Sequence, residues 1–249
     1  MECKNKTVVK SMALLNLFLT KERLSLNEMI ELTGMPKTSV YRMVCSLCEM
    51  GFLNRDESGM YGLGLLFLQY GQLVSERLDI RKMALPVMEK LRDEVDEAVH
   101  LIVKQGNEAI YIEKLEGTQM VRLYTAIGRR SPLYAGACAR SILTFLPEDE
   151  RKAYLEETEL VPIASGTICD KAELIRVLDM SYKNGYTVSH SELEDYTSAV
   201  AAPIFNHQKQ AVAGLSIAGF EARFQKDRLP YLAKKVKTAA LDISKKLGC

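Results

Sequence analysis

The residues able to do covalent or coordination chemistry are few in this 249-residue chain: six cysteines and three histidines. The cysteines stand at 3, 45, 48, 138, 169 and 249, too thinly spread in too long a chain for a disulfide framework, so reduced thiols are expected. Cys45-Ser-Leu-Cys48 is a CxxC, but it has no second cysteine pair or paired histidines nearby and falls inside a helical pattern, which favours a structural role over a metal or redox site. Cys138 at a helix N-terminus, with His190 or His100 as partner, supplies the ingredients of a nucleophile and base. Nothing in the spacing brings them together, and a histidine on the alternating strand Val99–Lys104 is more often packed or at the surface. Cys138, Cys169, His190 and His207 stand at no recognised ligand spacing. The expectation is a chain that is not an enzyme and holds no metal or cofactor; a metal- or thiol-responsive protein and a Cys-dependent enzyme are the alternatives.

A second constellation is polar and cationic. In a helix of about Lys37–Met50, Val40, Val44 and Leu47 form an inward stripe, leaving Lys37, Thr38, Ser39, Tyr41 and Arg42 for the other face and the leading turn. The elements before it fit. Thr7–Leu19 is an amphipathic helix carrying Val8, Val9, Met12, Leu15 and Leu19. Ser25 and Glu28 form a capping-box pattern for a short helix at Leu26–Leu32. Thr33-Gly34-Met35 breaks it, and Pro36 suits a helix start because its missing N–H would be unpaired there. A short helix, a tight turn and a helix led by polar and cationic groups make a helix-turn-helix, whose second helix enters the DNA major groove N-terminus first. Gly51-Phe52-Leu53 and Met60–Leu63, joined by a turn at Asn54–Gly59, add a wing.

Charge constrains how such a domain binds. Lys plus Arg number 33 against 32 Asp plus Glu, for a net charge of +1, which excludes a polycation that coats nucleic acid. Residues 1–64 are also near neutral, but Lys37–Val44 contains two cations, Lys37 and Arg42, and no acid. Few phosphate contacts follow, hence a modest salt slope and a need for dimerisation.

The remaining chain reads as α+β. Leu65 to about Arg81 is a helical linker, and Leu85–Val95 a helix with Pro86 in its first turn. Val99–Lys104 and Ala109–Leu115 form a hairpin about Gln105-Gly106-Asn107, and Val121–Ile127 a further strand. Helices follow at Ala135–Phe145 and, capped by Asp170, at Lys171–Lys183; Ala199–Phe205 and Val212–Ala218 form a second hairpin, and a helix of about Lys226–Leu247 closes the chain. Hairpin-joined strands with helices grouped between them predict an antiparallel sheet with helices against it. No apolar run approaches the roughly 20 residues of a membrane span, since Asn16 and Gln69 interrupt the candidates. The start Met1-Glu2-Cys3-Lys4-Asn5 lacks a signal-peptide stretch, so a cytoplasmic protein is expected.

The segment from Leu24 through Gly34-Met-Pro-Lys-Thr-Ser-Val-Tyr-Arg-Met-Val, followed by Gly51-Phe-Leu and Tyr61-Gly-Leu-Gly64, resembles the DNA-binding half of IclR-family transcriptional regulators. Gly128-Arg-Arg-Ser-Pro-Leu-Tyr-Ala-Gly-Ala-Cys-Ala-Arg-Ser-Ile-Leu, Gly185-Tyr-Thr-Val, Ala199-Val-Ala-Ala-Pro-Ile-Phe and Ala213-Gly-Leu-Ser-Ile-Ala-Gly219 resemble that family's effector half. The resemblance implies a winged helix-turn-helix domain at 1–64, a linker helix at 65–81 and a GAF-like effector domain at 82–249. It implies partners as well: a double-stranded, pseudo-palindromic DNA operator bound by a homodimer or a dimer of dimers, and a small, often anionic effector. By this analogy Lys37, Thr38, Ser39, Tyr41 and Arg42 contact DNA, with simple helix capping the alternative role for Thr38 and Ser39.

The same resemblance implies that a ligand carboxylate sits on backbone N–H groups at the start of the helix near Gly136, Ala137 and Cys138, where the helix dipole favours an anion. The remaining family contacts map onto Ser189, Ala199, Ser216 and Ala218. Family members often carry an acid, a cysteine and two serines there, and this chain keeps a polar group only at Ser189 and Ser216. Fewer side-chain hydrogen bonds lead to the expectation of a larger or more apolar ligand, such as an aromatic or branched acid.

Overall fold

The computed structural model describes residues 5–76, 79–119, 125–225 and 227–249, without the side chains of 75 and 76. It divides into two compact units, 1–77 and 78–249.

In the first unit Asn5 caps α1 (Lys6–Asn16) by accepting the Thr7 N–H at 3.0 Å, and a 3-10 turn, Leu17–Leu19, ends it earlier than the apolar spacing predicts. The capping box at α2 (Leu26–Thr33) is present in both directions: Ser25 Oγ accepts from the Glu28 N–H and the Glu28 carboxylate accepts from the Ser25 N–H. Gly34 takes φ 64, a left-handed conformation that costs a β-carbon-bearing residue about 1 kcal/mol or more. It turns the chain into α3 (Lys37–Glu49), whose Val40, Val44 and Leu47 are buried against Leu14, Leu24 and Met29. Strands β1 (Leu53–Arg55) and β2 (Tyr61–Leu63) pair antiparallel as the wing, tied back to the domain by the Leu24–Tyr61 bridge. Helix α4 (Leu66–Glu76) completes the unit.

The second unit opens with α5 (Asp79–Val95), which begins six residues before the predicted Leu85. Pro86 therefore lies inside the helix rather than in its first turn. The proline and Lys82, whose carbonyl loses its i+4 donor, are both exposed, so water can supply the missing bond. Then come β3 (Ala98–Gln105), β4 (Glu108–Leu115), β5 (Arg130–Pro132), α6 (Ala137–Thr144), α7 (Glu148–Glu157), α8 (Lys171–Asn184), β6 (Thr187–His190), β7 (Thr197–Phe205), β8 (Ala211–Phe220) and α9 (Leu229–Lys246). The first four residues of the expected strand Val121–Ile127 lie outside the described residues, while Thr125 and Ala126 carry no strand and Ile127 enters a turn. Lys226, the expected start of the last helix, also lies outside them.

The six strands form one antiparallel sheet in the order β5-β4-β3-β8-β7-β6. Side chains alternate across it with period two. Val99, Leu101, Val200, Ala202, Ile204, Ala213, Leu215 and Ile217 face α5 and α9, and the other set faces α6 and α8. Gly214 lets α6 come close: a Cβ there would stand 2.6 Å from the Cys138 carbonyl oxygen and 2.8 Å from Ser141 Oγ. The fold class is α+β, as the alternation and hairpins predict.

Candidate functional site

Two sites follow from these elements. On the first unit, α3 exposes Lys37, Thr38, Tyr41 and Arg42 and leaves Ser39 partly exposed. Pro36 stands at its N-cap, and no side chain caps the helix. Thr38 and Ser39 are therefore not used as caps, and the leading turn keeps both hydroxyls and its unpaired N–H groups at the surface. The exposed Cys45, one turn on, raises the pKa of the Tyr41 phenol. Cys48, the other half of the CxxC, is half-buried against the domain core, and burial raises its pKa. On the wing, Arg55 stacks on Tyr61 at 5.6 Å, and Arg23 pairs with Asp56 at 3.0 Å.

On the second unit, strand register gathers the residues on the α6 side of the sheet. Ser189 pairs with Ala199, Ala199 with Ala218, and Ala218 with Ala98, forming one cross-strand row. Ala201, Ser216 and His100 form the next. Above these rows sits the N-terminus of α6. Gly136, Ala137, Cys138, Ser189, Ala199, Ser216 and Ala218 all line a single cavity of about 50 Å³.

The remaining wall was not legible from the motifs. His100, Tyr111, Thr125, Arg129, Glu192, Glu194 and Ser198 also line the cavity. His100 is buried and packs edge-on to Tyr111, with ring centroids 5.5 Å apart. Desolvation, then the charges of Lys114 and Arg129, push its pKa down to about 4, so it is neutral at physiological pH. Burial likewise raises the Tyr111 phenol. Strand alternation is the signal that could have found His100, because it stands directly opposite Ser216.

The chain already uses part of the α6 N-terminus. Glu192, 5% exposed, accepts the Gly136 N–H at 2.9 Å and pairs at 2.5 Å with Arg140, which is fully buried. Arg140 also donates to the carbonyls of Tyr134 and Val188. At the cavity wall, Arg129 pairs with Glu194. The first-turn N–H groups of Ala137 and Cys138 remain without intrahelical acceptors.

This arrangement sets helix N–H groups beside polar side chains, but it does not make a nucleophile. Burial pushes the Cys138 thiol up to about 12, against a smaller opposing effect of the Ser216 hydroxyl, so the helix dipole does not deliver a thiolate. His190 instead bonds Ser198 through Nδ1 at 2.8 Å. Among the described residues no three His, Cys, Asp or Glu side chains gather as a metal site, and no helix is long and apolar enough to cross a membrane.

Comparison with known proteins agrees with both units. Residues 7–57 match the IclR helix-turn-helix domain, and residues 72–245 match the bacterial transcriptional regulator IclR C-terminal domain. The chain is 70% identical to the HTH-type transcriptional regulator KipR of Bacillus subtilis (strain 168), over 100% of this chain and 99% of that protein. The crystal structure of the Thermotoga maritima IclR is 34% identical, with a TM-score of 0.82 over 98% of this chain and 99% of that one. An IclR homolog from Microbacterium hydrocarbonoxydans, solved in complex with 4-hydroxybenzoate, shares the fold at 23% identity and a TM-score of 0.83, over 97% of this chain and 99% of that one. Two domain matches that together span most of the chain, with a relative 70% identical end to end, place it in one family: the chain belongs to the IclR family of transcriptional regulators, with a DNA-binding helix-turn-helix domain and a C-terminal effector domain.

Proposed function

We propose that the protein binds a two-fold symmetric operator as a homodimer or dimer of dimers and that a small, carboxylate-bearing metabolite in the second unit sets its operator affinity. Residues 65–81 act as the connector between an operator-reading domain at 1–64 and an effector domain at 82–249. Lys37, Thr38, Ser39, Tyr41 and Arg42 contact the DNA, with Arg42 on a guanine edge or a phosphate. Apolar residues exposed on the first unit support a second copy as partner: Val8, Val9 and Met12 on α1, and Leu68, Leu73 and Val74 on α4.

The observation that carries the effector reading is the convergence of residues from α6, β6, β7 and β8 on one cavity beside free helix N–H groups. Its size and lining change the expected ligand. An apolar cavity of about 150 Å³ holds benzene, whereas this one is about 50 Å³ and sets His100, Tyr111, Arg129, Glu192 and Glu194 beside the apolar Leu193, Ala199 and Ala218. Polar groups absent at Ala199 and Ala218 have counterparts on other strands and loops, in His100, Tyr111, Arg129 and Glu194, which favours a short, polar acid, with the aromatic or branched acid as the alternative. A short, polar acid fits better than the aromatic acid held by the Microbacterium protein. The ligand shifts operator affinity by its differential affinity for the two states of the dimer.

Selection from a random duplex library with the full chain tests the DNA side. The expected product is a two-fold symmetric sequence with half-sites about one helical turn apart. Arg42→Ala or Lys37→Ala should weaken binding, with the slope of log K against log salt shallower by about 0.9 for each phosphate no longer neutralised. Failure to enrich any sequence, or unchanged binding by both variants, would contradict the assignment.

A further inference from the structure

The charges around the cavity raise a question that the helix N-terminus does not answer: how an acid enters a wall that already carries two carboxylates. Glu192 and Glu194 both line the cavity, with Arg129 as the cation among the described lining residues. The two acids are held differently. Glu192 is buried, with Oε2 fixed by the Gly136 N–H and by the fully buried Arg140. Removing it would leave Arg140 as a buried charge without its carboxylate. The Glu194 side chain is 36% exposed, and its carboxylate pairs with Arg129, itself 27% exposed.

The backbone around Glu194 is pinned, so exchange needs only a side-chain rotation. The carbonyl of Ser191 accepts the Gly166 N–H at 2.7 Å, that of Glu192 accepts the Thr167 hydroxyl at 2.7 Å, and Asp195 accepts the Ser165 N–H at 2.9 Å. Arg129 is anchored too: its carbonyl accepts the Tyr111 N–H at 3.0 Å and its N–H donates to the Ala126 carbonyl at 3.1 Å. A guanidinium offers a planar fork of donors that suits a carboxylate, whichever molecule supplies it.

We propose that Arg129 is a specificity-determining residue of the effector cavity and that Glu194 is its built-in competitor, displaced from Arg129 by the carboxylate of a short ligand acid. This rests on the effector reading of the cavity. In the ligand-free protein Glu194 mimics that carboxylate and neutralises Arg129. On binding, Glu194 turns toward solvent, which its partial exposure permits, and the net charge of the wall is unchanged. Acids are selected over their amides and alcohols because only a carboxylate replaces Glu194 on equal terms.

The sign of the Glu194 effect separates a competitor from a structural partner. Binding of glyoxylate, pyruvate, oxalate and malonate to the full chain is measured by isothermal titration for wild type, Glu194→Gln and Arg129→Gln, with unfolding midpoints recorded for each. Glu194→Gln should tighten the best-bound acid by about fivefold, the scale of a partly exposed ion pair, and Arg129→Gln should weaken it by at least as much. Binding by Glu194→Gln where wild type shows none would support the proposal equally. Weaker or unchanged binding by Glu194→Gln, with wild type binding an acid, overturns the proposal and leaves the effector reading standing. Unchanged binding by Arg129→Gln does the same. Binding of none of the four acids by wild type or Glu194→Gln overturns both. Arg129→Lys, which keeps the charge but not the fork, should fall between Arg129→Gln and wild type.

Discussion

The neutral, buried His100 predicts a specific loss of stability in mild acid. Its pKa is about 4 in the folded protein and 6.5 in an unperturbed histidine, with desolvation the main cause. Between those values the unfolded chain takes up a proton that the folded chain does not. Stability therefore falls as pH drops from about 6.5 to about 4, is unaffected by this group above that window, and has no more to lose below it. Each pH unit crossed costs about 1.4 kcal/mol, so the window of 6.5 minus about 4 amounts to roughly 3 kcal/mol. That is a large part of the 5–15 kcal/mol typical of a folded domain. Urea unfolding of wild type and His100→Gln across this range isolates the contribution, because surface carboxylates titrate alike in both. The variant is less stable at neutral pH, since it lacks the edge-on ring packing against Tyr111. The gap should close by roughly 3 kcal/mol on acidification to the lower end of the window. A gap that stays constant would refute the claim that His100 is held neutral by burial.

The buried pair makes a second prediction: Glu192→Gln should destabilise the second unit by roughly 3–5 kcal/mol, seen as a calorimetric midpoint lower by roughly 6–20 °C, and a midpoint close to that of wild type would count against it. With its thiol pushed up to about 12, Cys138 should be alkylated by iodoacetamide at pH 8 far more slowly than the exposed Cys45, Cys169 and Cys249. Mass spectrometry of the labelled peptides would reverse that reading if Cys138 reacted among the first. Gly214→Val should force α6 off the sheet, because its Cβ alone meets the Cys138 carbonyl at 2.6 Å. A cost of about 1–3 kcal/mol is expected in urea unfolding, and a variant as stable as wild type would show that the close approach is dispensable.

Local signals made most of the fold legible. The capping box at Ser25 and Glu28, the turn at Gly34, the cap at Asp170 and the two hairpins are each written in a few neighbouring residues, and each is present. What escaped lacks such a signal. In α7, Glu148-Asp-Glu-Arg-Lys-Ala-Tyr-Leu-Glu-Glu157, only Tyr154 is fully buried, so no apolar stripe marks the helix. Strand β5 is three residues at a sheet edge. The start of α5 was hidden by Pro86, which reads as a first-turn residue although the helix runs through it.

The candidate site divides the same way. Residues carried by contiguous motifs, such as Gly136, Ala137, Cys138, Ser216 and Ala218, line one cavity. The charged wall does not come from one motif: Arg129 and Glu194 are 65 residues apart, and Arg140 and Glu192 are 52 apart. Such pairs exist only once the sheet has set the register. Reading Ala199 and Ala218 alone therefore leaves these charged groups out of account.

Coupling between cavity and operator is the property on which the proposed regulation stands or falls. Fluorescence anisotropy of a selected operator duplex, titrated with the full chain in the presence and absence of glyoxylate, pyruvate, oxalate or malonate, measures it. At least one of these acids should change the operator Kd by roughly 5–150-fold, and Ala199→Val, which narrows the cavity by two methyl groups, should weaken that change, with unfolding midpoints recorded to show that the variant is folded. An operator affinity indifferent to all four acids, or a response that Ala199→Val leaves at full size, would contradict it.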